Sequence, residues 1–169
     1  DRVTVSLDAV DSNAFLKMSG GQGQLDDVLD GIQSAHRAGF PAVKINMVVL
    51  RGQNEDQVMP LLEHFKSSGV TVRFIEYMDV GNRNGWRLDE VIPWQDLYDE
   101  IHRRWPLIPI PARYPGEVAK RFQFADGVGE VGFITSITQP FCGHCSRARV
   151  TAGGSLYTCL FAEHGFDIK

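Results

Sequence analysis

The feature that most constrains the fold is the alternation of strand and helix patterns over the first eighty residues. Residues 3–8 alternate apolar and polar side chains, and residues 25–38 repeat apolar side chains at helical spacing. A second strand pattern covers residues 43–49, a second helix pattern about 54–68, and a third strand pattern about 71–78. Because strands that alternate with helices pair in parallel through crossover connections, the order predicts an α/β fold. Glycines mark the predicted helix ends, and Asn54 is a suitable N-cap for the second helix.

The polar faces of the first two strands predict a barrel around a site. Fully packed parallel strands are apolar throughout, whereas Lys44 and Asn46 form a polar face opposite Val43 and Ile45. Inside a barrel, Lys44 would be a cation directed at a ligand cavity, and on an edge it would be an ordinary surface lysine. Ser6 and Asp8 end the first strand, where barrel enzymes hold ligands, although both residue types also begin turns.

The pattern changes after Gly81. Residues 81–85 are typical of a turn, and a helix is predicted at 93–104, beginning after Pro93. Four prolines follow between residues 106 and 115, and strand patterns then cover about 119–124 and 130–137. The chain therefore divides near residue 85 into a parallel α/β part and an α+β part.

Composition and charge exclude several classes of protein. The net charge of −4 argues against general nucleic-acid binding, which needs a basic face, but it leaves room for a local cationic pocket. No apolar run reaches about 18 residues, and the first residues have a strand pattern rather than that of a signal peptide. The three cysteines are clustered, which suits a metal site in a reducing compartment, so we expect a cytoplasmic location and no membrane partner.

The cysteines carry the strongest chemical signal. Cys142, Cys145 and Cys159 have the spacing C-x2-C-x13-C, in which two thiolates in one turn and a third from a later turn can hold one metal centre. The spacing alone leaves open a structural zinc with His164 or His144 as fourth ligand, an iron–sulfur cluster, a redox pair, or three unliganded cysteines. Three thiolates without a fourth cysteine leave one coordination position free for a substrate.

Two arginines follow the second cysteine. In an extended chain Cys145, Arg147, Arg149 and Thr151 point the same way, which places two guanidiniums beside the metal site. Arginine binds phosphate in a bidentate fork, so this pair suits a nucleotide, and the alternative is two solvated surface arginines.

Four stretches together resemble one family. They are Val5-Ser-Leu-Asp-Ala, Val43-Lys-Ile-Asn-Met-Val-Val-Leu-Arg-Gly, Arg73-Phe-Ile-Glu-Tyr-Met-Asp-Val-Gly, and Phe141-Cys-Gly-His-Cys-Ser-Arg-Ala-Arg with its Cys159. These stretches resemble the GTP 3′,8-cyclases of molybdenum-cofactor biosynthesis, which are radical S-adenosylmethionine enzymes. The resemblance runs over essentially the whole chain and in the family's order.

The resemblance implies a fold and a set of site residues. Residues 1–85 would form a partial parallel (βα) TIM-like barrel, and residues 86–169 a C-terminal α+β extension with the second iron–sulfur site. Cys142, Cys145 and Cys159 would hold a [4Fe–4S] cluster whose open iron meets the guanine of GTP. The implied GTP contacts are Lys44, Arg147, Ala148 and Arg149. The implied S-adenosylmethionine contacts are Ser6 and Met78, and Arg73 matches a catalytic cavity arginine, although alternation gives Arg73 and Met78 opposite faces.

The resemblance also implies a reaction and partners. A first cluster cleaves S-adenosylmethionine, the adenosyl radical takes hydrogen from the ribose C3′, and the carbon radical attacks C8 of the guanine to give 3′,8-cyclo-7,8-dihydro-GTP. A homodimer and a downstream cyclic pyranopterin monophosphate synthase are implied as partners. The family's first-cluster motif, C-x3-C-x2-C, and its Gly-Gly tail are absent from these 169 residues, so we expect both ends to be truncated and this chain alone to be inactive. The alternatives are a non-catalytic zinc module and another radical enzyme with an auxiliary cluster.

Overall fold

The computed structural model describes residues 2–80 and 85–169, except for the side chain of His144. These residues contain nine strands and four helices. The strands are β1 (Val3–Ser6), β2 (Val43–Val49), β3 (Thr71–Glu76), β4 (Leu107–Ile110), β5 (Ala119–Phe124), β6 (Glu130–Ile134), β7 (Arg149–Val150), β8 (Ser155–Tyr157) and β9 (Phe166–Asp167). The helices are α1 (Ser12–Met18), α2 (Leu25–Arg37), α3 (Val58–Phe65) and α4 (Trp94–Arg104). Of the turn predicted at 81–85, only Gly85 lies within the described residues.

The first six strands form one mixed sheet in the order β1-β2-β3-β6-β5-β4. β1, β2, β3 and β6 pair in parallel, whereas β5 pairs antiparallel with β6 and β4 pairs antiparallel with β5. This confirms the predicted parallel β-α-β-α-β arrangement. β6 joins the parallel strands from beyond the predicted division at residue 85, so the sheet draws on both predicted parts. β7, β8 and β9 form a separate antiparallel sheet.

The two faces of the six-stranded sheet differ in chemistry. One face packs against the helices, and its side chains Ile45, Met47 and Phe74 are at most 1% exposed. The other face carries the polar side chains of β2 and β3, as the alternation of β2 predicts. The apolar face supplies the core, and the polar face is left for a ligand site.

The predicted second helix is wrong at its start. The segment begins with a 3₁₀ turn at Glu55–Gln57, and α3 follows it. The Asn54 side chain makes no cap bond. It is fully buried, and its Nδ2 donates to the backbone oxygens of Asp8 (3.0 Å) and Val48 (2.9 Å) while its Oδ1 accepts from the Leu50 N–H (2.9 Å). Asn54 therefore joins the carboxyl ends of β1 and β2, because three backbone groups there lack partners within the sheet.

Among α1–α4 and β1–β6, two elements have no counterpart in the sequence prediction. α1 is capped by Asp11, whose Oδ1 accepts from the N–H groups of Asn13 (3.0 Å) and Ala14 (2.9 Å). β4 contains Pro109, which is tolerated because β4 is an edge strand. Gly39 follows α2 at φ +76°, as its predicted role at a helix end requires. Within the described ranges, no helix has the length and apolar character needed to cross a membrane.

Candidate functional site

A cavity of about 390 Å³ lies between the polar face of the sheet and residues 135–169, which we call the cysteine segment. Its sheet side includes Asn46, Ile75, Met78 and Ile134, and its other side includes Phe141, Cys142, Cys145, Arg147, Arg149, Cys159 and Phe161. Since β2 and β3 are parallel, their carboxyl ends meet at this edge, where α/β proteins bind ligands. The structure therefore brings the cysteines, both arginines and Met78 to one cavity.

The three cysteines are free and exposed. Cys142 opens a 3₁₀ turn, and the N–H of Cys145 donates to the Cys142 carbonyl oxygen (3.2 Å). Cys159 follows β8, and its Sγ accepts from the Phe161 N–H at 3.4 Å. Among the described residues, no group of three or more His, Cys, Asp or Glu side chains is arranged to hold a single metal ion. His164 is exposed and is not among the residues that line the cavity, and the side chain of His144 lies outside the described part.

Arg147 acts on both the second cysteine and the cavity wall. Hydrogen bonds from its backbone N–H and then from its guanidinium lower the pKa of Cys145, and the charges of Arg147 and Arg149 act in the same direction. The guanidinium carbon of Arg147 lies 4.9 Å from the centre of the Phe141 ring. Arg149 begins β7 opposite Tyr157, while Ala148 is exposed and is not among the residues that line the cavity.

A second cationic group lies on the sheet. The Nε of Arg73 donates to Oδ1 of Asn46 (2.9 Å), which neighbours it across β2 and β3. Gly132 on β6 leaves room for this side chain, because a Cβ there would lie 3.1 Å from the Arg73 Cγ. Burial lowers the pKa of Arg73. Burial also lowers the pKa of Lys44, and the charges of Arg73 and Arg113 add to that effect.

The two predicted S-adenosylmethionine contacts are separated in this structure. Ser6 ends the edge strand β1, pairs in register with Asn46 and is exposed, but it is not among the residues that line the cavity. Met78 lies two residues beyond the end of β3 and does line it. The alternation that gave Arg73 and Met78 opposite faces therefore does not apply, because the strand ends at Glu76.

Sequence reasoning missed Asn46 and Phe161 as residues of the site. Asn46 lies two residues after Lys44, so the strand alternation already placed both on the same polar face. Its bond to Arg73 could not be predicted, because that bond depends on the register of β2 with β3. Phe161 follows the third cysteine closely and gave no signal of its own, since an isolated aromatic residue is more often core than ligand contact.

Two family models and several curated proteins match this chain. Residues 70–169 match the family model described as Molybdenum Cofactor Synthesis C, and residues 1–65 match that of the Radical SAM superfamily. A GTP 3′,8-cyclase of Xanthomonas campestris pv. campestris (strain B100) is 58% identical over 99% of this chain and 50% of its own length. Proteins of the same name from Acidothermus cellulolyticus and Synechococcus sp. (strain WH7803) are 49% and 47% identical, over 46% and 52% of their own lengths. The chain spans about half the length of the curated relatives it matches.

Proposed function

The chain belongs to the Molybdenum Cofactor Synthesis C family, and we propose that it forms part of a radical S-adenosylmethionine enzyme that converts GTP to 3′,8-cyclo-7,8-dihydro-GTP. One observation carries this proposal: three exposed thiols and two guanidiniums line a single cavity at the carboxyl end of parallel strands. Thiols suit an iron–sulfur cluster, and guanidiniums suit a triphosphate.

Cys142, Cys145 and Cys159 would hold a [4Fe–4S] cluster. The donor set fits, because all three thiols line the cavity and neighbouring donors already favour the thiolate of Cys145. When bound, such a cluster would supply an iron with a free coordination position for a ligand of the cavity.

The cationic residues would hold and orient the nucleotide. Arg147 and Arg149, with Ala148 between them, lie beside the cysteines and would bind the negative groups of GTP. Lys44 is not among the residues that line the cavity, but it lies on the same face of β2 as Asn46 and would add positive charge there. Arg73 occupies the Oδ1 of Asn46, which leaves the amide NH₂ of Asn46 as a donor beside the cavity. In this proposal Arg73 adds positive charge near the substrate and fixes that donor.

The proposed enzyme also needs parts that act beside this cavity. We propose that the open sheet, which β6 extends across the predicted division near residue 85, is part of a (βα) TIM-like barrel, and that a first cluster and S-adenosylmethionine act beside Ser6 and Met78. A homodimer and a downstream cyclic pyranopterin monophosphate synthase complete the proposal. The separate β7-β8-β9 sheet and the turn at Cys142 support a distinct cluster-binding region.

Titration of GTP into variants of the full-length protein tests the proposal. Arg147→Ala or Arg149→Ala should weaken binding by about ten- to a hundredfold, since charge-assisted bonds contribute about 1.5–3 kcal/mol each. Lysine replacements should restore only part of the affinity because they lack the bidentate fork. Arg103→Ala, an exposed position on α4, is the matched control. Unchanged GTP affinity in both alanine variants, with the iron content intact, would refute the substrate assignment.

A further inference from the structure

A buried carboxylate connects the sheet to the loop that precedes the first cysteine. Glu76 is the last residue of β3 and is only 2% exposed, on the face that packs against the helices. Glu76 lies on the same face of β3 as Val72 and Phe74, which are both buried. A charged side chain at such a position is costly unless it is fully bonded, so its partners indicate what it does.

All four bonding positions of this carboxylate are occupied. Oε1 accepts from the backbone N–H of Trp94 (3.0 Å) and from the Thr138 hydroxyl (2.5 Å). Oε2 accepts from the backbone N–H groups of Ile137 (2.8 Å) and Thr138 (2.9 Å). Three of the four bonds therefore come from residues 137–138, and the fourth comes from the first residue of α4.

The loop held by Glu76 leads directly to Cys142. The Thr135 hydroxyl donates to the Gln139 carbonyl oxygen at 2.8 Å, which closes the loop. Lys120 on β5 bonds the Gln139 side chain and lies 4.5 Å from the Trp94 ring centre. The loop is therefore attached to the sheet at residues 137–138 and again at Gln139, three residues before the first thiol.

We propose that Glu76 is a positioning residue for the cysteine segment, holding residues 137–138, and through them Cys142 and Cys145, against the carboxyl end of β3. The inference rests on the proposed function only in that these thiols bind the cluster. Because Glu76 lies two residues before Met78, one strand end then fixes both walls of the cavity. A displaced loop would move the thiols relative to the arginines and the sheet.

Hydrogen exchange of the full-length protein without its metal tests the contact itself. Glu76→Leu keeps a similar volume but removes every acceptor, so the amides of Ile137 and Thr138 should exchange about ten- to a hundredfold faster. Glu76→Gln keeps an acceptor oxygen and should accelerate exchange by less than about tenfold, and it carries the test if the leucine variant does not fold. Glu100→Leu and Glu100→Gln, at an exposed position of α4, should leave exchange unchanged.

The reconstituted protein supplies the second readout. After chemical reduction to its paramagnetic state, the cluster bound by Cys142 and Cys145 should give an electron paramagnetic resonance signal that broadens or disappears in Glu76→Leu and is partly retained in Glu76→Gln. Unchanged exchange at residues 137–138, acceleration spread equally over β2 and β3, or an unaltered cluster signal would each overturn the inference. Absence of that cluster from the unmodified protein would instead refute the proposed function and leave the exchange result standing.

Discussion

The sheet region (residues 2–134) and the cysteine segment are stabilised in different ways. Every buried apolar side chain of the described residues lies in the sheet region, where Phe74 and Phe133 are each at most 1% exposed. Among the described side chains of the cysteine segment Thr135 alone is buried, and apolar side chains such as Val150 and Phe166 are more than 60% exposed. Apolar burial therefore accounts for the sheet but not for the segment that carries the thiols.

The difference shows where a metal centre contributes most. The cysteine segment is held by short antiparallel ladders and by the hydrogen bonds of residues 137–139 to the sheet region. Segments with few buried contacts open at low free energy, and ligands that bind the folded form close them. We therefore expect cluster binding to order the cysteine segment while it changes the sheet region little.

We expect the largest difference between the sheet region and the cysteine segment when one phenylalanine in each is changed to alanine. Phe74→Ala, within the core, should lower the free energy of unfolding of the full-length protein by about 3–5 kcal/mol, because it removes packed surface and leaves a cavity. Phe166→Ala, at 66% exposure, should change it by no more than about 0.5 kcal/mol. Urea denaturation measures both. Equal losses in the two variants would show that the cysteine segment has a core of its own.

A smaller effect is expected on the pH at which Cys145 of the cysteine segment becomes reactive. Because hydrogen bonds lower the pKa of Cys145, its alkylation in the metal-free, full-length protein should rise with pH at lower values than for an ordinary cysteine. Arg147→Ala should move this midpoint upward only in part, since the backbone N–H remains, and Arg149→Ala should move it less. Mass spectrometry of the labelled peptide follows the rate. A midpoint insensitive to Arg147 would contradict the proposed contact.

The elements that the sequence predicted lie mainly in the sheet region, where apolar burial is regular. β2 has the predicted bounds and α2 lies within one residue of its prediction, since regular apolar periodicity sets their burial. β5 also has the predicted bounds, although its burial alternates less regularly. α1 was missed because it is short and depends on the Asp11 cap, and β4 was missed because Pro109 suggests a break. Periodicity in one segment cannot show bonds between distant ones.

The candidate site follows the same division. The spacing of the cysteines and the adjacent arginines predicted one wall of the cavity, because those residues are neighbours in sequence. The opposite wall includes Asn46, whose bond to Arg73 forms only through strand register. The role of Glu76 could have been suspected from the sequence, because a carboxylate at an apolar position of a strand needs hydrogen-bond partners.

The metal held by the cysteine segment tests the central claim most directly. Anaerobic reconstitution of the full-length protein, compared with a variant in which Cys142, Cys145 and Cys159 are all alanine, should give a difference of about four iron and four sulfide per protomer, without zinc. An absorption spectrum should show the matching loss of charge-transfer bands. Stoichiometric zinc on these cysteines, with no sulfide, would contradict the account and identify a structural zinc module instead.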